Sequence, residues 1–305
     1  MIKYRGVEME SQTHQLNIET VLQLNKLRGK VFVIKYGGSI MDNETAQEAF
    51  IEDLIFLTNL GIKIVIVHGG GPEINRWLAR TNIENRFVKG LRVTDSATME
   101  IVEMVLSGNV NKKLSSNLSR KGLNAIGISG KDSNLIRAKK KYVYEDGSKL
   151  DIGFVGQVTS INKKVILGLL KNNYIPVISP IGGDEEGNSY NINADYAASF
   201  ISGVLRAEKL LVMTDIDGVY KDIKDPSSML PSITIDEIKE YTDCGIISGG
   251  MIPKLECCID ALDKGTKSVH LIDGRKEHNL LMNLTSEGGT KIIAGRGVNQ
   301  CQKII

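Results

Sequence analysis

Short apolar runs recur along this chain, each ending in glycine or a polar turn, with stretches of helical length between them. This alternation constrains the fold more than any other feature. The runs are Val31–Ile34, Lys63–Val67, Ala125–Ser129, Tyr174–Ser179, Lys209–Thr214, Ser268–Asp273 and Thr290–Ile293. Runs that are apolar throughout and rich in β-branched residues read as strands buried on both faces. Between them, Phe50, Leu54, Ile55 and Leu57 mark the buried side of a helix over 43–61. Further helices are predicted over Ser96–Ser107, Lys163–Asn172, from Asn193 onward, and through Asp263. Strands alternating with helices to the end predict an α/β chain of three layers: an open, mostly parallel sheet with helices on both faces. Ligands of such sheets bind beyond the carboxyl ends of the strands.

Those ends carry unusual residues. The first run continues as Lys35-Tyr36-Gly37-Gly38-Ser39, with a lysine inside the strand. A buried ammonium is costly unless an anion meets it. Paired glycines bring bare N–H groups close to a ligand. Taken alone, the lysine could equally snorkel out beside an ordinary turn. The second run enters His68-Gly69-Gly70-Gly71-Pro72, and proline in a first helical turn aims free N–H groups and the positive helix end at an anion. His68 reads as structural, because nothing nearby in sequence completes a dyad. Arg92, in Lys89–Thr94, suits bidentate capture of a carboxylate, although a surface arginine is the plainer local reading. Asn191 and Asn193 precede Asp195; Asn193 suits an N-cap, which puts Asp195 in a first helical turn. The fifth run ends in Asp215-Ile216-Asp217-Gly218-Val219-Tyr220, an aspartate-rich turn without the later ligand spacing of a calcium loop. Gly249-Gly250 then precede Lys254 at a helix start, repeating the theme of Lys35. Glu145-Asp146-Gly147, between Tyr142–Tyr144 and Leu150–Ile152, signals a hairpin that covers the cleft.

Composition excludes several classes. With 305 residues, 42% of them hydrophobic, the chain can bury a large core, as one α/β domain or two lobes. A formal charge of +2 gives no field suited to a nucleic-acid backbone. No apolar run is long enough to span a bilayer. The start, Met1–Glu10, has neither the apolar core of a signal peptide nor transit-peptide character. Cys244, Cys257, Cys258 and Cys301 show no metal-ligand spacing and imply reduced thiols; the 4 His are scattered, so no metal site is expected. Residues Leu16–Leu27 read as an amphipathic helix that Gly29 ends, with an apolar face for its own domain or for a second copy.

Six blocks in order, VIKYGGS, VIVHGGGPEIN, KGLRVT, NINADYAA, TDIDGVYKD and GGMIPKLE, resemble the acetylglutamate kinases of the amino-acid kinase superfamily over essentially the whole chain. The Walker A pattern is absent. The resemblance implies the amino-acid kinase fold with an N-terminal helix extension (1–29), an acyl-substrate lobe (30–180) and a nucleotide lobe (181–305) in one domain over 1–305. It implies phosphorylation of the γ-carboxylate of N-acetyl-L-glutamate by ATP, an early step of arginine biosynthesis. By similarity, Lys35 and Lys254 flank the transferring phosphoryl and Asp195 holds the two lysines. Gly37 and Gly38 donate to phosphate oxygens; Gly70 does so too and, with Gly71, borders the acyl substrate. Arg92 takes the α-carboxylate and Asn191 the acetylamino end. Thr214, Asp215, Gly218 and Tyr220 hold the nucleotide, with Mg2+ arriving on ATP.

The arginine-inhibited branch is similar in its N-terminal helix, which there interlaces dimers into a hexamer (a trimer of dimers), and in the tail carrying His270 and Glu287, an arginine site. Plastid and cyanobacterial kinases of that kind are bound by the P-II nitrogen-sensing protein. The heavy use of Lys, Ile and Asn points to an AT-rich genome and a plastid-encoded protein of the stroma, with the bacterial cytoplasm as the alternative. Rival readings are sister kinases of carbamate, glutamate, aspartate or uridylate, and a catalytically silent arginine or nucleotide sensor. A dinucleotide oxidoreductase is weaker, because no GxGxxG follows the first strand.

Overall fold

Eight strands form the central sheet of the computed structural model, which describes residues 24–41, 43–285 and 288–295. In chain order they are β1 Val31–Tyr36, β2 Lys63–His68, β3 Ala125–Ser129, β4 Ile175–Ser179, β5 Lys209–Thr214, β6 Ser232–Thr234, β7 Val269–Asp273 and β8 Thr290–Ile293. Their order across the sheet is β6-β8-β7-β5-β1-β2-β4-β3. All neighbours are parallel except β7 and β8, which run antiparallel. The predicted open, mostly parallel sheet is thus present, and β1 lies inside it, between β5 and β2.

The two faces follow from strand alternation. Val33, Val65 and Val67 pack with the helices Lys163–Lys171, Ala194–Val204 and Met251–Asp263. Phe32, Ile34 and Tyr36 pack with the helix Glu44–Asn59 on the opposite face. Phe50, Leu54 and Leu57 are fully covered there, whereas Ile55 is half-buried. Lys35 therefore shares the face of Val33, in a row that is otherwise apolar.

Two expectations are corrected. The strand β3 is half-buried along its length instead of fully buried, because it lies at the sheet's edge with one neighbour only. The helix predicted over Ser96–Ser107 does not stop at Gly108. It passes through a π-helical stretch, Met104–Val110, and continues as Asn111–Arg120. Tertiary packing of Val105, Leu106 and Val110 overrides the helix-breaking signal of Ser107-Gly108-Asn109. The predicted hairpin is present as Ile136–Glu145 and Ser148–Ile161, with Asp146 and Gly147 both left-handed (φ 48° and 77°). It closes, with Ile181–Gly183 and Ser189–Asn191, into a small four-stranded barrel that the sequence did not announce. Of the predicted N-terminal helix, Leu24 to Leu27 and its terminating Gly29 (φ 75°) are described; Leu16 to Gln23 lie outside the described residues.

Candidate active site

The lysine on β1 is buried to 9% exposure, and its ammonium meets Asp195 Oδ1 at 3.0 Å. Asp195 stands in the first turn of the helix Ala194–Val204, whose cap is Asn193: Asn193 Oδ1 accepts from the N–H of Asp195 at 2.8 Å and of Tyr196 at 3.4 Å. The helix dipole favours a carboxylate there. Burial acts to raise the Asp195 pKa, but the ammonium groups of Lys35 and Lys254 outweigh it, and the net shift is downward. Asp195 is thus an ionised carboxylate paired with Lys35, with the charge of Lys254 adding at longer range. Its Oδ1 makes a close ion pair but no well-aligned hydrogen bond, so its orientation is set by charge and packing.

Around this pair lie two adjoining cavities. The smaller, about 290 Å3, is bordered by Lys35, Gly70, Gly71, Arg92, Asn191 and Asp195. The larger, about 740 Å3, is bordered by Lys254, Asp195 and Tyr196, with the hairpin residues Lys141–Tyr144 above. Asp195 and Asn193 are walls of both.

The glycines are required by close approach. A Cβ on Gly70 would stand 2.4 Å from Leu106 Cδ2, and one on Gly37 would stand 2.6 Å from the Met213 carbonyl oxygen. Gly70 precedes the helix Gly71–Arg80, which carries Pro72 in its first turn as the sequence signalled. Gly38, which begins the short helix Gly38–Met41, packs against Pro72.

Arg92 closes the far end of the smaller cavity. It is 7% exposed and carries no carboxylate partner among the described residues. Its guanidinium donates to Asn75 Oδ1 at 2.8 Å and to Asn85 Oδ1, and lies 4.7 Å over the Phe87 ring. Asn85 also donates to Asn75 Oδ1 at 2.9 Å. Burial pulls the Arg92 pKa down to about 10, so the group stays charged at neutral pH. A buried, neutrally solvated guanidinium is an electrostatic demand for an anion. Asn191 donates to Thr94 Oγ1 at 3.2 Å at the same cavity. His68 is structural: Asn111 Nδ2 donates to its Nε2 at 3.1 Å, so Nδ1–H donates to the Gly69 carbonyl at 2.8 Å. Burial lowers its pKa to about 4. It stays neutral and holds the glycine loop.

Comparison with known proteins decides the family. Residues 30–273 match the Amino acid kinase family. The acetylglutamate kinase of Clostridium acetobutylicum is 56% identical over 93% of this chain and 96% of its own. The acetylglutamate kinase of Cyanidium caldarium is 45% identical over 90% and 89%. The chain belongs to the acetylglutamate kinases of the amino acid kinase family. A solved structure from Streptococcus mutans, 32% identical, covers 87% of this chain and 99% of its own with a TM-score of 0.70.

Within this acetylglutamate kinase the remaining residues fall in two groups. Thr214, at the end of β5, donates to Asp215 Oδ1 at 3.0 Å, and that bond is the main cause of the lowered Asp215 pKa, with Lys254 and Arg275 adding to it. Tyr220 donates to Asp217 Oδ2 at 3.2 Å, and Asp217 pairs with Lys276 at 2.8 Å. Gly218 is packed against Thr290, whose Oγ1 a Cβ would meet at 2.5 Å. These residues lie at the carboxyl edge, where the charge of Lys254 reaches Asp215, but border neither cavity. His270 lies at the opposite edge, buried, with Ser268 Oγ at 3.1 Å and Lys209 Nζ at 3.4 Å from its Nε2. Glu287 lies outside the described residues.

Sequence reasoning missed Asn75 and Asn85, which hold Arg92, and Lys209 beside His270. Asn75 sits within the block that signalled the glycine loop, but only the fold shows what it faces. Among the described residues no three His, Cys, Asp or Glu side chains gather into a metal site.

Proposed function

We propose that this enzyme transfers the γ-phosphoryl group of ATP to the γ-carboxylate of N-acetyl-L-glutamate, giving ADP and N-acetyl-L-glutamyl 5-phosphate, an early step of arginine biosynthesis. The observation that carries the reading is the pair of cavities meeting at Asp195, one bordered by Lys35 and Arg92 and the other by Lys254. A carboxylate and a polyphosphate repel each other, so positioning and charge stabilisation dominate the barrier. Arg92 would fix the α-carboxylate at the closed end of the smaller cavity, and Asn191 the acetylamino end. That directs the γ-carboxylate toward Lys35. Lys35 and Lys254, held by Asp195, would stabilise the oxygens of the transferring phosphoryl from two sides. Gly37, Gly38, Gly70 and Gly71 would donate N–H groups or admit the close approach of substrate. Thr214, Asp215, Gly218 and Tyr220 would hold the nucleotide. The described carboxylates do not form a metal site, so magnesium would enter on ATP and neutralise phosphate charge there. Residues 30–180 would serve the acyl substrate and 181–305 the nucleotide within one domain.

The test is ATP turnover with N-acetylglutamate against free glutamate, carbamate and aspartate. Turnover with the acetylated substrate alone supports the reading. Turnover with another acceptor reassigns the substrate, and none at all leaves a nucleotide sensor.

Feedback control is the finer part of the proposal. The cluster of Lys209, His270 and Lys291 is basic and suits the α-carboxylate of arginine, with Glu287 for the guanidinium. Sigmoidal inhibition by L-arginine and a hexameric elution volume would support it; a flat response would remove the arginine site. Association with the P-II nitrogen-sensing protein is tested by co-elution at low 2-oxoglutarate. Of the two sources considered, the 56% identity to a Clostridium kinase against 45% to that of Cyanidium favours a bacterial cytoplasm over a plastid stroma.

A further inference from the structure

Tyr36, the neighbour of Lys35 on β1, points through the other face of the sheet, where it borders a separate cavity of about 420 Å3 that the proposed reaction does not use. The apolar floor is Tyr36, Met41 and Leu114, and the polar wall carries Arg76, Lys113 and Arg120. Glu73 is the one acid on that wall, and it is already forked by Arg76, whose Nε donates to Glu73 Oε2 at 2.8 Å. Lys113 and Arg120 stand seven residues apart on one face of the helix Asn111–Arg120, and neither has an ionic partner among the described residues. The wall therefore holds a surplus of two positive charges.

A solvated basic helix face is the ordinary explanation of such a pair. The tyrosine argues against it. Tyr36 is 2% exposed, and its hydroxyl has no hydrogen-bond partner among the described residues. The hydroxyl is not sealed in the core: the side chain borders the cavity, so the partner it lacks in the protein can only come from there, next to two free cations.

We propose that this cavity binds a small organic dianion, either a phosphate monoester or a dicarboxylate. Lys113 and Arg120 take its charges, and the Tyr36 hydroxyl donates to it. Arg suits bidentate contact with either anion, and Lys serves as a point charge. Pro72 borders this cavity and the acyl cavity alike, so a ligand here rests on the same helical turn that carries Gly71.

Calorimetric titration of the full chain with phenyl phosphate, and separately with succinate, tests the site. The tighter probe identifies the class. Lys113→Ala with Arg120→Ala is expected to weaken binding at least tenfold, Tyr36→Phe about threefold, and Lys35→Met not at all. The last variant separates this site from the catalytic one, so the result is independent of the proposed reaction. Thermal midpoints of the variants check that they fold. Binding that survives the double substitution, or is lost in Lys35→Met, overturns the proposal. So does a wild-type protein that binds neither probe; if the double variant then also changes oligomeric state, the face is a contact between copies.

Discussion

The two ends of the central sheet treat buried charge in opposite ways. At the carboxyl end, three acids are matched, and Arg92 is left to neutral amides. Lys35 meets Asp195, Asp273 accepts a fork from Arg275 at 2.9 Å, and Asp217 meets Lys276. At the amino end, Lys209, His270 and Lys291 converge, and the acid that bears on Lys209 is Glu208, itself paired with Lys267 at 2.8 Å. The price appears as proton affinity. Burial, with Lys291 adding to it, lowers the Lys209 pKa to about 8. Burial and both lysines lower that of His270 to about 2, so it is neutral at physiological pH. A matched pair keeps its charge when water is excluded and can act on a phosphoryl group without reorganising. An unmatched basic cluster holds its protons less tightly until an anion arrives.

The sharpest way to break this contrast is to remove the charge at the matched end. Lys35→Ala is expected to lower kcat by about 10^3-fold with little change in the far-ultraviolet circular dichroism. A variant that keeps wild-type turnover would remove Lys35 from the chemistry. Asp195→Asn comes next, at about 10^2-fold. Wild-type turnover in that variant would mean that Asp195 does not hold the lysines.

Arg92→Ala should raise KM for the acyl substrate by about 10- to 100-fold, with kcat within about threefold. Arg92→Lys should not restore it, because Asn75 and Asn85 orient a planar fork. A fall in kcat instead would show that Arg92 does more than anchor.

The unmatched end predicts gains. Lys209→Met should stabilise the fold by about 1 kcal/mol. The sign follows from linkage: the folded pKa lies below the unfolded one, so the unfolded chain binds the extra proton between them. The gain should be full below pH 8 and absent above about pH 10.5, read from thermal midpoints at several pH values. If arginine binds there, the same variant should also lose sensitivity to it.

The smallest effect is at His278, whose Nδ1 lies 2.7 Å from the buried Asp53. The hydrogen bond to Asp53 raises the His278 pKa, so its contribution is full below about pH 6.5 and is lost as pH rises through the raised value. His278→Gln should cost less than about 1 kcal/mol at pH 6, because the ring is half-exposed, and should cost nothing at pH 9. A loss that did not depend on pH would mean that the ring acts through packing alone.

Much of the site was legible before any coordinates. A lysine inside an apolar run, a triple glycine before proline and an asparagine-capped acid are local signals, each with a local physical cause. That Arg92 stands without an acid was not legible, because Asn75 and Asn85 reach it across a turn and a helix. The run of the helix through Gly108 was misread for the same reason: its apolar partners are remote in sequence.

The sequence by itself determined the alternation of strands and helices, the edge at which ligands must bind and the residue types gathered there, because hydrophobic period and turn chemistry act over a few residues. Tertiary structure alone decided which charges meet. Lys35 and Asp195 are 160 positions apart and Lys209 and His270 are 61 apart, yet one pair is an ion pair and the other sets a lysine beside a ring that its charge keeps neutral. Coulomb energy in a dry interior depends on distances of a few ångströms, and strand order, not chain order, sets those distances.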